Sequence, residues 1–259
     1  MAKVYTFGNR KGGVAKTTTT AALSYLLSLR GYRVLATEVD SQGHLAEMLT
    51  LKSSKDFAGM TVFEAIQAGN VKPYVHNVTE GLDLLPANNS LAQLQDWLYK
   101  KGNLPRNVRP QEALKRALAP VQEEYDYILI DTPPALNDEL INALTAATHI
   151  IGCTETSKPS MTGLINFFEI VKEVKESVNP DLRLCGVLAT MLDARRTDAQ
   201  TVLLRLEMDY DNLLFKTIIK RGAAIGRLYM LGFDETKNHE LHAALKQFIP
   251  LVKEVLERE

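Results

Sequence analysis

The chain has 259 residues and a mass of 28.8 kDa, enough to bury a large core without a disulfide or metal staple. Its 30 Lys and Arg residues balance 31 Asp and Glu residues, which excludes a uniformly basic protein that coats nucleic acid, so any binding of polyanions must be local. Cys153 and Cys185 lack CxxC spacing, which argues against a zinc or cluster site and predicts buried thiols in a reducing compartment.

Short apolar runs alternate with amphipathic ones along the chain. The predicted strands are Val4–Gly8, Arg33–Val39, Leu82–Pro86, Tyr127–Asp131, His149–Thr154, Leu184–Thr190 and Leu214–Ile218. The predicted helices are Thr17–Arg30, Asn88–Lys100, Gln111–Glu124, Asp138–Ala147, Thr162–Ser177, Asp198–Tyr210 and Asn238–Glu257. This alternation predicts an α/β fold with a doubly wound, mostly parallel sheet flanked by helices. The chain starts at the first strand without a signal-peptide pattern, and no apolar run reaches 18 residues, so we expect a cytoplasmic protein.

Two segments fit the alternation less well. Lys52–Thr79 is irregular apart from a short predicted helix at Thr61–Ala68. A plain connection is the default interpretation of this segment, and an excursion at the sheet edge is the alternative. The last predicted helix carries an apolar stripe that could insert into a membrane surface or dock onto the sheet. Because its end is acidic and lacks a basic cluster, docking is the favoured interpretation.

The loop Gly8–Thr18 directly follows the first predicted strand and opens the first predicted helix. Small residues let backbone N–H groups curve around a phosphate, to which the helix N-terminus adds partial positive charge. Lys16 can neutralise the β- and γ-phosphates of a nucleotide, and the Thr17 hydroxyl can coordinate Mg²⁺. The common pattern G-x-x-x-x-G-K-[ST] is not met, because Arg10 and Ala15 occupy its two glycine positions.

A second pattern does fit this loop, K-G-G-x-x-[GA]-K-T, with an additional lysine at Lys11. It resembles the deviant phosphate loop of the ParA/MinD family of P-loop ATPases. Val39–Gly43 follows the second strand, where that family has D-P-Q-G, and Tyr125–Pro134 matches its Walker B strand and switch II. The chain most resembles the ParA/Soj-type DNA partition ATPases. The resemblance implies a P-loop NTPase fold in a single domain, residues 1–259, with ATP and Mg²⁺ as cofactors.

Lys16, Asp40 and Asp131 all lie just past the ends of predicted parallel strands, where they can converge on one triphosphate. Asp131 is suited to hold Mg²⁺ together with Thr17. The alternative for Asp40 and for Asp131 is that the carboxylate caps a helix. The residues expected to contact the nucleotide are Gly12, Gly13, Val14, Ala15, Lys16, Thr17 and Thr18, with Met191 an adenine contact suggested by its position alone.

The resemblance also implies catalytic roles for Lys11 and Asp40 beside that of Lys16. Asp40 orients the water that attacks the γ-phosphate, and Lys11 reaches across a face-to-face homodimer into the partner's nucleotide. Ala15 adds a methyl group where the family has glycine, and Ser41 replaces a proline. We expect nucleotide binding to tolerate both departures, while the turnover rate stays open.

Local basic stretches lie towards the C-terminus. From Leu214 to Phe233 the chain has four cations and no acidic residue. The candidate DNA-binding residues are Arg195, Arg196, Lys216, Lys220, Arg221 and Arg227. Such a face suits sequence-independent contact with DNA phosphates, and the alternative for each residue is an ordinary solvated rim.

We therefore expect an ATP-dependent DNA partition ATPase that is nucleoid-associated in the cytoplasm. Its expected partners are non-specific DNA and a centromere-binding adaptor that stimulates hydrolysis, without a membrane. The alternatives are a cargo-positioning ATPase, a membrane-switched regulator resembling MinD, and a metabolic enzyme of the same superfamily. Because no extension precedes the first strand, we do not expect the chain to read an operator. Its cargo, whether a plasmid, a chromosome origin or a protein assembly, stays open.

Overall fold

A single sheet forms the centre of the protein in residues 1–192, 197–236 and 238–258, the part that the computed structural model describes. Its strands are β1 (Lys3–Gly8), β2 (Val34–Glu38), β3 (His76–Thr79), β4 (Leu82–Leu85), β5 (Tyr127–Asp131), β6 (His149–Glu155), β7 (Arg183–Leu192) and β8 (Leu214–Lys220). The strand order is β3-β4-β2-β5-β1-β6-β7-β8, and β3 alone among these described strands runs antiparallel to its neighbour. The predicted α/β fold with a mostly parallel sheet is confirmed.

Helices cover both faces of this sheet. They are α1 (Lys16–Ser28), α2 (His44–Thr50), α3 (Val62–Ala68), α4 (Leu94–Tyr99), α5 (Ala113–Leu118), α6 (Asp138–Ala146), α7 (Lys158–Ser177), α8 (Thr197–Tyr210), α9 (Ala223–Leu231), α10 (Leu241–Leu245) and α11 (Ile249–Glu257). Successive residues of a strand point to opposite faces, so Leu129 of β5 joins one core cluster while Ile128 and Ile130 join another. Both faces of the central strands are therefore buried, which explains their nearly all-apolar sequences.

The seven predicted strands are all present, and three elements were missed. β3 is short and half-exposed at the sheet edge, in the segment whose default interpretation was a plain connection, so the alternative of an edge excursion fits better. α2 has only seven residues, too few for a clear helical period. α9 has Gly226 in its middle, which weakens its helical pattern, and in the sequence its residues were noted only as part of the basic stretch Leu214–Phe233.

The predicted C-terminal helix is divided into α10 and α11. Pro250 lies in the first turn of α11, where its missing N–H is tolerated but cannot continue α10. The apolar stripe of these helices is buried in the core, as the docking interpretation predicted, and consists of Leu241, Leu245, Phe248, Val252 and Val255. Both cysteines are buried, and neither forms a disulfide. Among the described residues, none of the helices has the length and apolar character to cross a membrane.

Candidate active site

The carboxyl ends of three neighbouring strands, β2, β5 and β1, bring the predicted site residues together. In the sheet register, Asp131 at the end of β5 lies opposite Phe7 of β1 on one side and Glu38 of β2 on the other. The phosphate loop follows β1, and the loop with Asp40 follows β2. Parallel strands that end at one edge of the sheet make the crevice in which α/β proteins bind ligands.

The phosphate loop has an open, concave backbone. A Cβ atom added to Gly12 or Gly13 would meet no atom within 4 Å, and Gly13 has a φ of +76°. Ala15 immediately precedes α1 with a φ of 58°, in the left-handed region that favours glycine. The Thr190 hydroxyl donates to the carbonyl of buried Val14 at 3.0 Å, which ties the loop to β7.

Asn9, which the sequence analysis did not single out, fixes the start of the loop. Its side chain is 2% exposed, and Nδ2 donates to the carbonyl of Cys153 at 2.7 Å and of Ser160 at 3.1 Å. Its Oδ1 accepts from the backbone N–H of Lys11 at 2.8 Å. Gly163 of α7 allows this approach, because a Cβ there would lie 2.5 Å from Asn9 Oδ1. The loop conformation is thus held by β6 and α7.

Lys16 lies inside the curve of the loop with only 7% exposure. Its Nζ donates to the carbonyls of Asn9 and Lys11, each at 3.4 Å. Burial lowers the pKa of the Lys16 ammonium, and the nearby carboxylates of Asp131 and Asp40 act in the opposite direction. A desolvated cation held by backbone carbonyls is prepared to contact a phosphate, since little water has to be removed from it.

Thr17 and Asp131 form a suitable magnesium site. The Thr17 hydroxyl donates to Asp131 Oδ2 at 2.6 Å, while Asp131 Oδ1 is buried without a hydrogen-bond partner. Burial raises the pKa of the Asp131 carboxyl to about 7, although the Thr17 hydroxyl and the Lys16 ammonium lower it. An orphaned carboxylate oxygen beside a hydroxyl matches the oxygen ligands that Mg²⁺ takes, so the residues present fit this ion.

Asp40 lies at the tip of a short loop between β2 and α2. Its Oδ1 accepts from the backbone N–H of Gln42 at 3.1 Å, and its carbonyl accepts from Gly43 at 3.2 Å. The side chain is half-buried and faces the same cavity as the phosphate loop. Ser41, at the position where the ParA/MinD family has proline, lies next to Asp40 in this loop.

A cavity of about 760 Å³ extends from the phosphate loop towards α9. Its far wall includes Met191, Arg221, Ile225 and Tyr229, so the sequence-based guess for Met191 lies in the same cavity as the loop. Tyr229 of α9 donates a hydrogen bond to Glu47 of α2, which closes one side. The cavity thus joins the phosphate loop to side chains that can contact a base, among them Met191 and Ile225.

Lys11 lies at the rim of the loop and makes contacts within its own chain. Its ammonium forms a salt bridge with Glu155 at the end of β6 and lies 3.3 Å from the Ser157 hydroxyl. Its side chain is 32% exposed, much more than that of Lys16. Lys11 therefore does not point into the phosphate cradle of its own chain.

The candidate DNA-binding residues fall into several places. Lys216 and Lys220 are exposed along a groove of about 680 Å³ that Lys253 of α11 also lines. Arg221 lines the nucleotide cavity, and Arg227 forms a salt bridge with Glu240 at 2.6 Å. Arg195 and Arg196 lie outside the described residues. The groove beside β8, called here the β8 groove, thus keeps Lys216 and Lys220 of the predicted set. Its Lys253 forms an ion pair with Glu257 at 3.6 Å, and Glu254 also lines it.

Comparisons with known proteins agree with this geometry. The family described as "AAA domain" matches residues 2–184. The chain is 34% identical over 226 residues to the sporulation initiation inhibitor protein Soj of Bacillus subtilis, covering 87% of each chain. It is 30% identical over 250 residues to the chromosome-partitioning ATPase Soj of Thermus thermophilus, covering 96% of this chain and 94% of that one.

A solved structure extends the comparison to the fold. Cobyrinic acid a,c-diamide synthase from Mycobacterium smegmatis, with bound ADP and magnesium, superposes with a TM-score of 0.77 and 33% identity. The match covers 89% of this chain and 92% of that one. With its deviant phosphate loop, its switch segments and this degree of similarity to Soj, the chain belongs to the ParA/Soj family of P-loop ATPases.

Proposed function

We propose that this chain is a DNA-partition ATPase whose dimer state depends on Mg-ATP. In the ATP state two copies form a sandwich dimer that binds DNA without sequence preference, which keeps the protein on the nucleoid in the cytoplasm. Hydrolysis, stimulated by a centromere-binding adaptor, returns it to the monomer and releases the DNA. The observation that carries the proposal is the convergence of Lys16, Thr17 and Asp40 on one cavity, with Asp131 hydrogen-bonded to Thr17 and Lys11 at the rim of the phosphate loop.

The residues of the cavity divide the work of hydrolysis. Backbone N–H groups from Gly12 to Thr18 bind phosphate oxygens, and Lys16 stabilises the charge that develops on them. Mg²⁺, held by Thr17 and Asp131, would supply positive charge at the β- and γ-phosphates. Asp40 orients the attacking water from the tip of its loop. Met191 and its neighbours on the far wall contact the adenine.

The proposed role of Lys11 in dimerisation comes from the family resemblance, and its partly exposed position at the rim of the loop supports it. We expect Lys11→Ala to bind ATP with nearly unchanged affinity but to remain monomeric. Light scattering after size exclusion, with ATP, ADP or no nucleotide, measures this. Arg10→Ala is the matched control, because Arg10 is the adjacent exposed cation and its side chain is not assigned a role. An ATP dimer that survives Lys11→Ala contradicts the proposed contact.

The role of Asp40 is tested by Asp40→Ala. This variant should bind ATP and dimerise, because the cradle and the Thr17–Asp131 pair remain, while hydrolysis falls at least about tenfold. Asp96→Ala, a change of an exposed aspartate on α4, is the control. Loss of ATP binding in Asp40→Ala would make Asp40 a ligand-binding or structural residue instead.

DNA binding is the step that separates partition from other activities of similar proteins. We expect the wild-type protein to shift two unrelated DNA duplexes equally with Mg-ATP, and neither of them with Mg-ADP. If the protein shifts neither duplex in the ATP state, the proposed partition function is wrong. The chain is about as identical to the cobyrinic acid a,c-diamide synthase as it is to Soj. The DNA assay therefore decides between a partition ATPase and a metabolic enzyme.

A membrane-switched regulator is the alternative in this family. It would need an exposed apolar or basic helix, whereas the apolar stripe of α10 and α11 is buried against the sheet. Cosedimentation with anionic vesicles in the presence of Mg-ATP distinguishes the two. ATP-dependent binding to vesicles together with no DNA shift would favour the membrane alternative.

A further inference from the structure

Glu38 is a completely buried acid at the last position of β2. Its carboxylate accepts two backbone hydrogen bonds, from Leu45 N–H at 2.7 Å and from Ala46 N–H at 3.4 Å. Both donors belong to the first turn of α2, whose N–H groups have no partners within the helix. A residue of the strand therefore caps the helix that follows it.

This cap is unusual because it comes from a different element. Gly43 is the N-cap residue of α2 and has no side chain with which to make the hydrogen bond. A serine or aspartate at that position would ordinarily make this hydrogen bond from the N-cap itself. Burial and the nearby Asp131 carboxylate raise the pKa of the Glu38 carboxyl well above its usual range, and the two backbone N–H groups act in the opposite direction. The two hydrogen bonds therefore offset part of the cost of burying this polar group.

The consequence is a closed loop with Asp40 at its tip. At one end, Val39 N–H donates to the carbonyl of Asp131 at 3.0 Å, which fixes the strand end to β5. At the other end, Gly43 is packed so closely that a Cβ would lie 2.4 Å from the Cβ of Ser54. Glu38 spans the two ends. The position of the Asp40 carboxylate therefore depends on the length and the two oxygens of the Glu38 side chain.

We propose that Glu38 is a positioning residue, which holds Asp40 where it orients the attacking water by tying the start of α2 to the end of β2. This inference rests on the role proposed above for Asp40. Glu38 itself lines no part of the cavity among the residues that the structure describes. It should therefore affect the rate of hydrolysis and leave nucleotide affinity unchanged.

Two substitutions of Glu38 separate its reach from its hydrogen-bonding capacity. Glu38→Asp keeps the acid but shortens the side chain by one methylene, so that it no longer reaches both N–H groups. Glu38→Gln keeps the length but leaves one acceptor oxygen. We expect the single-turnover rate at saturating Mg-ATP to fall about tenfold in Glu38→Asp and about threefold in Glu38→Gln, because small displacements of a catalytic group are costly. The ATP concentration for half-maximal rate should stay within about twofold.

A matched control tests whether lost stability alone explains such an effect. Thr61 is also completely buried and caps α3, far along the chain from Asp40, by accepting from Phe63 N–H at 3.3 Å. Thr61→Ala should lower the urea midpoint to a similar degree without slowing the single turnover. If Glu38→Asp does not fold, Glu38→Gln carries the same comparison.

The double variant decides whether Glu38 acts through Asp40. In Asp40→Ala, adding Glu38→Gln should slow hydrolysis no further, because the carboxylate that Glu38 positions is already absent. Multiplicative effects would overturn the inference, as would loss of ATP affinity in the Glu38 variants or unchanged rates in both. If Asp40→Ala alone keeps the wild-type rate, the proposed function of Asp40 fails instead, so the two failures are distinguishable.

Discussion

Lys11 and Glu155 form a salt bridge between the phosphate loop and the end of β6, two positions 144 residues apart in the chain. The same ammonium lies 3.3 Å from Ser157. Two of the three N–H donors of the Lys11 ammonium are thus used within the chain, and moving Lys11 towards a phosphate of a second copy would break its ion pair with Glu155. The chain therefore contains a competitor for the contact that we propose Lys11 makes in the dimer.

Removing this competitor should favour the dimer. Glu155→Gln keeps the shape of the side chain and removes its charge. The ATP concentration for half-maximal dimerisation should therefore fall about two- to fivefold, the change that corresponds to the free energy of a partly exposed ion pair. Light scattering during an ATP titration measures it. Glu169→Gln, an exposed change on α7, should have no effect. A weaker dimer in Glu155→Gln would instead assign Glu155 to the interface.

Ala15 provides a test of stability in the phosphate loop. Its left-handed backbone costs an L-residue about 1–2 kcal/mol, so Ala15→Gly should raise the free energy of unfolding by about 1 kcal/mol. Urea denaturation measures the change. The same substitution at Ala21, inside α1 and completely buried, should destabilise by about 1 kcal/mol or more. Equal signs for the two variants would show that the strain at Ala15 is not significant.

Asp131 provides a test of the magnesium site. In wild type we expect ATP with Mg²⁺ to raise the thermal midpoint more than ATP with EDTA does. Asp131→Asn should lose most of this difference, with apparent ATP affinity in Mg²⁺ weakened about tenfold, or about 1.4 kcal/mol. Asp138→Asn, the same change at the start of α6, is the control. Full Mg²⁺ dependence in Asp131→Asn would remove Asp131 from the site.

The sequence predicted the elements whose patterns are local. Tyr127–Asp131 is a strand with the predicted bounds, because five buried residues between polar ones leave few alternatives. The phosphate loop was likewise recognisable from residues adjacent in the sequence. That Asp40 and Asp131 lie near it was expected because each follows a predicted parallel strand. α2 and α9 were missed, since one is very short and the other has a glycine in its middle.

The contacts that support the site could not be read from the sequence. Asn9, Glu38 and Glu155 bond to partners on other elements, and a lone polar residue beside a strand is equally typical of a loop. Glu38 was counted within an apolar run, although it is the acid that caps α2. Such pairings depend on strand order and register, which place Glu38 opposite Asp131.

The β8 groove allows a sharper DNA experiment than the basic stretch as a whole. Lys216 and Lys220 are exposed on the edge strand of the sheet, whereas Arg221 lines the nucleotide cavity and is left unchanged so that ATP binding is not disturbed. The double variant Lys216→Ala/Lys220→Ala should weaken ATP-dependent binding equally for two unrelated duplexes. The slope of log affinity against log salt should become shallower by about 0.9 for each lost phosphate contact.

The control for this variant is Lys115→Ala, an exposed lysine on α5, on the other face of the sheet from α11. Its slope should equal that of wild type, because an exposed charge farther than about 8–10 Å from the duplex is screened. Dimerisation and ATP affinity of the double variant should also be unchanged. The weakened binding would then be due to lost contacts with DNA and not to a change in the ATP state. An unchanged salt slope in the double variant would remove the β8 groove from the proposed DNA site, and a loss confined to one duplex would indicate base-specific contacts instead.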